Sequence, residues 1–289
     1  MMTLEVRDTE GPVGAEVFGL DPGWPLDADA HAALQDAFDR RSVLVFRDVD
    51  IDLQFQARLS RSLIAQDEGS LAEDSQEAPF DWYISNRVPD AAAPFGRLPF
   101  HSDSMWCADP YLVLSLYGEE VEVPVAPTFF AGNVTGWEKL PDDLRRRVEG
   151  LHARHVSGII DRSAEPDDDV ALPDFGTTLS TVKPIVWSHP RTGRPQLWLC
   201  EQMTSEVVEL DAGDSEALLG ELFAHLYASE NRWQHEWQEG DLIVWDNVAV
   251  QHSRPNVDED GPVRTLRKFG TPHPDMTAAQ VPTYTRAGT

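Results

Sequence analysis

Cysteine is scarce in this chain, and so is positive charge. Its 289 residues include only Cys107 and Cys200, too few for a disulfide framework or a zinc cage, so a reduced, cytoplasmic setting is expected. Lysine and arginine number 23 against 50 aspartates and glutamates, a formal net charge of −27. Nucleic acids and anionic membranes are recognised through basic surfaces, so neither is an expected partner. No stretch is long and apolar enough to span a bilayer. The start, Met1-Met2-Thr3-Leu4-Glu5-Val6-Arg7-Asp8, lacks the basic end and apolar run of a signal peptide. Internal repeats, low-complexity tracts and linkers are also missing. What remains is an acidic chain whose 41% hydrophobic residues suffice for a sizeable core.

Turn residues cut the chain into short pieces. Ala28 to Arg40 reads as an amphipathic helix, with Ala33, Leu34, Ala37 and Phe38 on one face. Leu53 to Ile64 reads as a second helix, Pro141 to Val148 as a third, and Ser215 to Ser229 as a fourth with a leucine-rich stripe. Between them lie many short apolar runs of strand type. They include Ser42 to Phe46, Leu112 to Tyr117, Thr128 to Ala131, Asp241 to Trp245, Val248 to His252 and Val263 to Phe269. Such punctuation predicts a mainly β fold with flanking helices, a barrel or double-sheet sandwich. Two acidic segments without periodicity, beginning at Gln66 and Arg162, are expected to be surface loops able to cover a site.

One constellation carries chemistry. His101-Ser102-Asp103 places an imidazole and a carboxylate two residues apart, which in extended backbone puts both on one face. His252 closes the apolar strand Val248 to Gln251 and is the candidate third ligand, with Arg264 twelve positions beyond it. Two imidazoles and one carboxylate can hold one face of an iron(II) ion and leave the opposite positions open for a co-substrate and oxygen. His152 and His155 have no carboxylate at metal spacing and are read as non-ligands.

The residues around the constellation widen the match. Gly240-Asp241-Leu242-Ile243-Val244-Trp245-Asp246-Asn247 precedes His252, and Val263-Arg264-Thr265-Leu266-Arg267-Lys268-Phe269-Gly270 follows it. With His101, Asp103 and Thr128 in the same order, the chain resembles the taurine dioxygenase (TauD/TfdA) family of iron(II)- and 2-oxoglutarate-dependent oxygenases. The resemblance extends to Ile84-Ser85-Asn86 and Leu140-Pro141-Asp142-Asp143-Leu144. It departs from the family before the threonine, where Val123-Pro124-Val125-Ala126-Pro127 replaces a glycine pair.

That resemblance implies a double-stranded β-helix, a jelly roll of cupin type, as a single domain over 1–289 with lid-like loops near 66–100 and 162–182. It implies iron held by His101, Asp103 and His252, with 2-oxoglutarate and O2 as co-substrates. Arg264, a planar fork matched to a carboxylate, would take the distal carboxylate of 2-oxoglutarate, with the Thr128 hydroxyl as a second donor. Strand alternation puts Arg264, Leu266 and Lys268 on one face and Arg267 on the other, where it reads as an outward charge or a hydrogen bond to a neighbouring loop. Lys268 stands where family members carry an arginine for the primary substrate, so it is expected to meet an acidic or polar group there. Tyr83, Asn86, Phe100 and Trp106 are expected to line the substrate pocket, with core packing as the competing reading for Phe100 and Trp106.

The expected reaction hydroxylates an unactivated C–H bond of a small organic molecule and releases succinate and CO2. Desaturation or cyclisation would follow from the same hydrogen abstraction. Halogenation is disfavoured because Asp103 is present. The competing classes are a jelly-roll metal-binding protein without oxygenase activity and a zinc hydrolase on the same three ligands. The sequence leaves the oligomeric state open, although members of the resembled family commonly form homo-oligomers.

Overall fold

Period-two alternation builds the two faces of the main sheet, and the structure, a computed structural model, describes residues 4–23, 27–65, 83–158, 160, 162 and 179–274. The chain opens with β1 (Glu5–Asp8) and β2 (Ala15–Phe18), then α1 (Ala28–Arg41), β3 (Val43–Phe46) and α2 (Leu53–Ser62). Next come β4 (Tyr83–Ser85), β5 (Leu98–His101), β6 (Val113–Val121) and β7 (Thr128–Gly132). The short helices α3 (Asn133–Glu138) and α4 (Asp142–Val148) lead to β8 (His152–Val156), β9 (Ser180–Pro184), β10 (Val186–Ser188), β11 (Pro195–Leu197) and β12 (Thr204–Val207). The chain ends through α5 (Ala212–Leu226), β13 (Arg232–His235), β14 (Leu242–Asp246), β15 (Val250–Arg254) and β16 (Arg264–Thr271).

Seven strands form one sheet in the order β1-β2-β3-β14-β6-β16-β4, and four form another in the order β13-β7-β15-β5. Val43, Val45, Leu114, Leu116, Ile243 and Trp245 project from the larger sheet onto Phe130 and Val250 of the smaller one. Their alternates, Leu44, Phe46, Val113, Tyr117, Leu242 and Val244, face the other way and pack with α1 and α2. Each fully buried Val, Leu, Ile or Phe contributes about 1.5–3 kcal/mol, so this double use of β3, β6 and β14 anchors the fold. A third sheet, β12-β8-β9, packs with α4 and α5 around Leu218, Leu219 and Leu222. This is the mainly β jelly roll with flanking helices that the sequence predicts. Among the described residues, no helix is long and apolar enough to cross a membrane.

Three helices, α1, α2 and α5, start where an aspartate caps them. Asp27 accepts from the Ala30 amide, Asp52 from Phe55, and Asp211 from Asp214. The last cap makes α5 begin three residues earlier than the expected Ser215. In α1, Ala30 takes the place expected of Ala33, which is exposed. Ser42 ends α1 in the left-handed conformation, φ 63°, and donates its amide to the Phe38 carbonyl.

Of the two expected lid-like loops, 66–82 and 163–178 lie outside the described residues. Within 83–100 the chain is not all loop, because β4 joins the large sheet and β5 the small one. On β6 a bulge sets Thr265 opposite Glu120 but Leu266 opposite Gly118, so Glu119 is skipped in the register with β16. Gly118 permits this approach: a Cβ there would sit 2.8 Å from the Gln238 carbonyl.

Candidate metal centre and co-substrate cavity

Strand register brings the two histidines together. In the β5–β15 pair His101 lies directly opposite His252, and their ring centroids are 4.1 Å apart. Asp103 arrives differently from the sequence expectation. β5 ends at His101, and Asp103 sits in the turn that follows, just before Ser104 at φ 60°. A turn rather than a shared strand face therefore aims the carboxylate. His252 also lies inside its strand rather than at the strand's end, since β15 continues to Arg254.

Oδ1 of Asp103 is 3.3 Å from Nε2 of His101 and 3.7 Å from Nε2 of His252. Ligands on one face of an ion with bonds of about 2.1 Å stand roughly 3 Å apart, so this spacing fits a metal with little adjustment. These three are the only group of potential ligand atoms of this kind among the described residues, all within 4.8 Å of one another. Nδ1 of His101 lies 2.8 Å from the Pro99 carbonyl, which can only accept. Nδ1 therefore carries a proton, which leaves Nε2 as the ring atom turned toward a metal. Burial and the neighbouring His101 ring push His252 well below the usual histidine range, so it is neutral and able to ligate. Burial alone would raise Asp103, but Lys268 and the two imidazoles outweigh it and hold the carboxyl well below its usual range. Two imidazoles and a carboxylate are a donor set for a divalent transition metal.

The Trp245-Asp246-Asn247 run supports these ligands from behind. Trp245 packs its ring 4.9 Å from that of His252. Asp246 accepts from the Val248 and Ala249 amides and from Arg191, and pairs with His189. Asn247 donates to the Asp103 and Tyr111 carbonyls and accepts the Asp103 amide, each at 2.9 Å. The turn that carries Asp103 is thus clamped on both sides by one side chain. The sequence offered the motif but not this role.

Beside the triad lies a cavity of about 260 Å³, reached by His101, Asp103 and His252 and also by Thr128, Arg254, Arg264 and Lys268. Arg264 donates through Nε to the Ala126 carbonyl at 3.1 Å and through Nη2 to Thr128 Oγ1 at 3.4 Å. Thr128 Oγ1 also accepts from Trp237 Nε1 at 3.0 Å, so the hydroxyl's own proton is directed elsewhere. Burial, then the nearby Arg254, pushes Arg264 down to about 9, which leaves it charged at neutral pH. Lys268 reaches the same cavity from β16, and its Nζ stands 2.5 Å from Asp103 Oδ2.

Three expected pocket residues lie elsewhere. Phe100 points to the opposite side of β5 from His101 and stacks on Tyr227 of α5 at 4.2 Å, the packing alternative. Asn86 spends its amide on the Asp258 and Pro262 carbonyls and its carbonyl on the Arg264 amide, fixing the loop before β16. Tyr83 pairs in register with Arg267 on the edge strand, beside Glu119, rather than on the cavity wall. Trp106 does line the cavity. Arg267 is no outward charge: it is buried and donates to Gln56 Oε1 and the Ile51 carbonyl at 2.9 Å each, and to Glu119.

Arg254 was not found from the sequence, although it lies two residues past His252 and the alternation rule puts it on the same inward face. Ile84, Ala92, Ala93, Leu98, Leu116 and Met203 supply most of the remaining apolar wall. His152 pairs with Glu209 at the surface, and His155 is buried against Thr204.

Comparison with known proteins fits this geometry. A family model described as "Taurine catabolism dioxygenase TauD, TfdA family" matches residues 5–269. The chain is 28% identical over 285 residues to pentalenolactone F synthase of Streptomyces avermitilis, covering 90% of each. It is 27% identical over 263 residues to an alpha-ketoglutarate-dependent sulfate ester dioxygenase of Pseudomonas putida, covering 87% of this chain and 84% of that one. The structure superposes on a taurine dioxygenase from Burkholderia xenovorans with a TM-score of 0.72 at 23% identity, covering 92% of this chain and 90% of the other.

Proposed function

Because the chain belongs to the TauD/TfdA dioxygenase family, we propose that His101, Asp103 and His252 hold iron(II) and that Arg264 and Thr128 receive the distal carboxylate of 2-oxoglutarate. The protein is an oxidoreductase, a 2-oxoglutarate-dependent dioxygenase acting on a small organic molecule. Iron(II), 2-oxoglutarate and O2 together supply the oxidising power, with succinate and CO2 released and a substrate C–H bond hydroxylated.

The chain's own residues do the positioning. His101 and His252 present Nε2, and Asp103 presents one oxygen beside them. Arg264, locked by Ala126 and Thr128, meets a carboxylate without reorganising. Ile84, Leu98, Leu116 and Met203 keep the cavity apolar, which excludes water from the centre and favours a substrate with a hydrocarbon face. An acidic or polar group on that substrate would meet Lys268 beside the metal site. A cytoplasmic setting accords with Cys107 and Cys200 both being buried and outside any disulfide.

The observation that carries this reading is the meeting of three ligand atoms within 4.8 Å at a cavity that also holds a buried arginine. Anaerobic addition of iron(II) and 2-oxoglutarate tests it. A weak visible charge-transfer band is expected, followed in air by substrate-dependent succinate release across a panel of acids, sulfonates and natural-product intermediates. Without the band, the oxygenase reading of this site would fall.

A further inference from the structure

The cavity contains more positive charge than one arginine supplies. Arg254 and Arg264 are both buried, at 5% and 3% exposure, and both line the cavity. Neither has a carboxylate within ion-pair distance among the described residues, whereas Lys268 already faces Asp103. Arg254 donates through Nη2 to the Phe95 and Gly96 carbonyls, at 2.8 and 3.2 Å, and its buried Nε has no hydrogen-bond partner among the described residues. Two like charges left buried without a counter-charge are costly, and an unsatisfied buried N–H adds to that cost.

Register says what the pair faces. In the β15–β7 ladder Ser253 lies opposite Phe129, so the next step sets Arg254 opposite Thr128. Arg254 shares its strand face with His252, two residues back, and Arg264 donates to Thr128 from the other sheet. Both arginines and the Thr128 hydroxyl therefore line one cavity. The arginines' proximity is reflected in Arg264, whose positive form Arg254 disfavours.

We propose that Arg254 is a second guanidinium for the distal carboxylate of 2-oxoglutarate, so that two buried cations select a dianionic co-substrate. This rests on the assignment of the metal and Arg264 made above. The carboxylate relieves the repulsion between the arginines and accepts the Arg254 Nε–H. Selectivity against 2-oxo monoacids follows, because these would enter the cavity and leave both cations uncompensated.

The test is calorimetric binding to the manganese(II)-loaded full chain, with 2-oxoglutarate compared against 2-oxovalerate, which lacks the distal carboxylate. Wild type should prefer 2-oxoglutarate. Arg254→Met should weaken 2-oxoglutarate roughly ten- to hundredfold and leave 2-oxovalerate unchanged. Arg264→Met should keep a residual preference, and the double variant should lose it. If Arg254→Met weakens both acids equally, or neither, Arg254 serves only the Phe95–Gly96 loop and the proposal is overturned. Should Arg254→Met fold poorly by thermal unfolding, Arg264→Met still decides, since complete loss of preference in that variant leaves nothing for Arg254 to supply. A wild-type protein that binds the two acids alike would instead overturn the assignment of Arg264, and this one with it.

Discussion

Lys268 Nζ lies 2.5 Å from Oδ2 of Asp103, while Oδ1 of the same carboxylate faces both histidine Nε2 atoms. The two oxygens therefore have different tasks, one toward the metal position and one toward a cation on β16. Lys268 holds the carboxylate so that a single oxygen is presented. Partners that orient a ligand typically account for 10–100-fold in metal affinity. Lys268→Met should accordingly weaken manganese(II) binding, followed by electron paramagnetic resonance titration, about tenfold. Unchanged metal affinity with a raised KM for the primary substrate would assign Lys268 to the substrate alone.

Arg264 and Arg267, three residues apart on one strand, should fail in different ways. Arg264→Met removes a carboxylate partner and should raise the KM for 2-oxoglutarate roughly ten- to hundredfold with little change in folding. Arg267 instead joins α2 to the sheet through Gln56, Ile51 and Glu119, over the ring of Tyr117. Arg267→Ala should cost about 2–4 kcal/mol of stability and leave the 2-oxoglutarate KM near wild type. Urea unfolding beside steady-state kinetics separates the two. The reverse pattern would mean that the inward face of β16 has been misassigned.

Asn247 offers a test of the turn that carries Asp103. Its amide nitrogen faces the Asp103 and Tyr111 carbonyls, and its carbonyl takes the Asp103 amide. Asn247→Asp preserves shape but sets a carboxylate oxygen against two carbonyl oxygens. Metal affinity should fall roughly 10–100-fold, by the same logic that applies to other groups orienting a ligand. Asn247→Ala, which leaves those groups unpaired without repelling them, should fall less. Equal manganese(II) affinities for wild type and Asn247→Asp would show that the turn holds itself.

How far the site can be read from sequence depends on which rule fixes each residue. Arg264, Leu266 and Lys268 obey alternation because β16 itself is regular, its bulge being carried by Glu119 on the neighbouring strand. Arg254 obeys the same alternation from His252, yet nothing in the sequence shows that no acid among the described residues lies within ion-pair distance of it. Phe100 and Asn86 are close in sequence to His101 and to the edge strand, but nearness along the chain does not choose a face. Tyr227 and the loop before β16 make that choice. Helix bodies were legible from apolar spacing, but the start of α5 was not, because the Asp211 cap lies ahead of the first apolar residue of its stripe. Asp103 was found for the wrong geometric reason: it acts from a turn, where alternation has no force.

His155 predicts an acid limb in stability that is separate from the metal centre. It is fully buried on β8, with Nδ1 against Thr204 Oγ1 and Nε2 without a partner. Burial, and then the positive charge of Lys183, lowers it from an ordinary 6.5 to about 3. The folded protein thus keeps this ring neutral across a window where the unfolded chain takes up a proton. Because the unfolded state binds more protons there, stability must fall as pH falls from about 6.5 toward about 3, and should not depend on His155 above that window. The slope for one proton is at most about 1.4 kcal/mol per pH unit. Urea unfolding of metal-free wild type and His155→Gln at several pH values isolates it, since every other group is common to both proteins and cancels in the difference. Lys183 stays charged throughout this window, its own value being about 8, so it adds repulsion without adding a titration. The variant should lose stability less steeply on acidification, and parallel curves would mean that water or a rearranged Thr204 accommodates the charged ring.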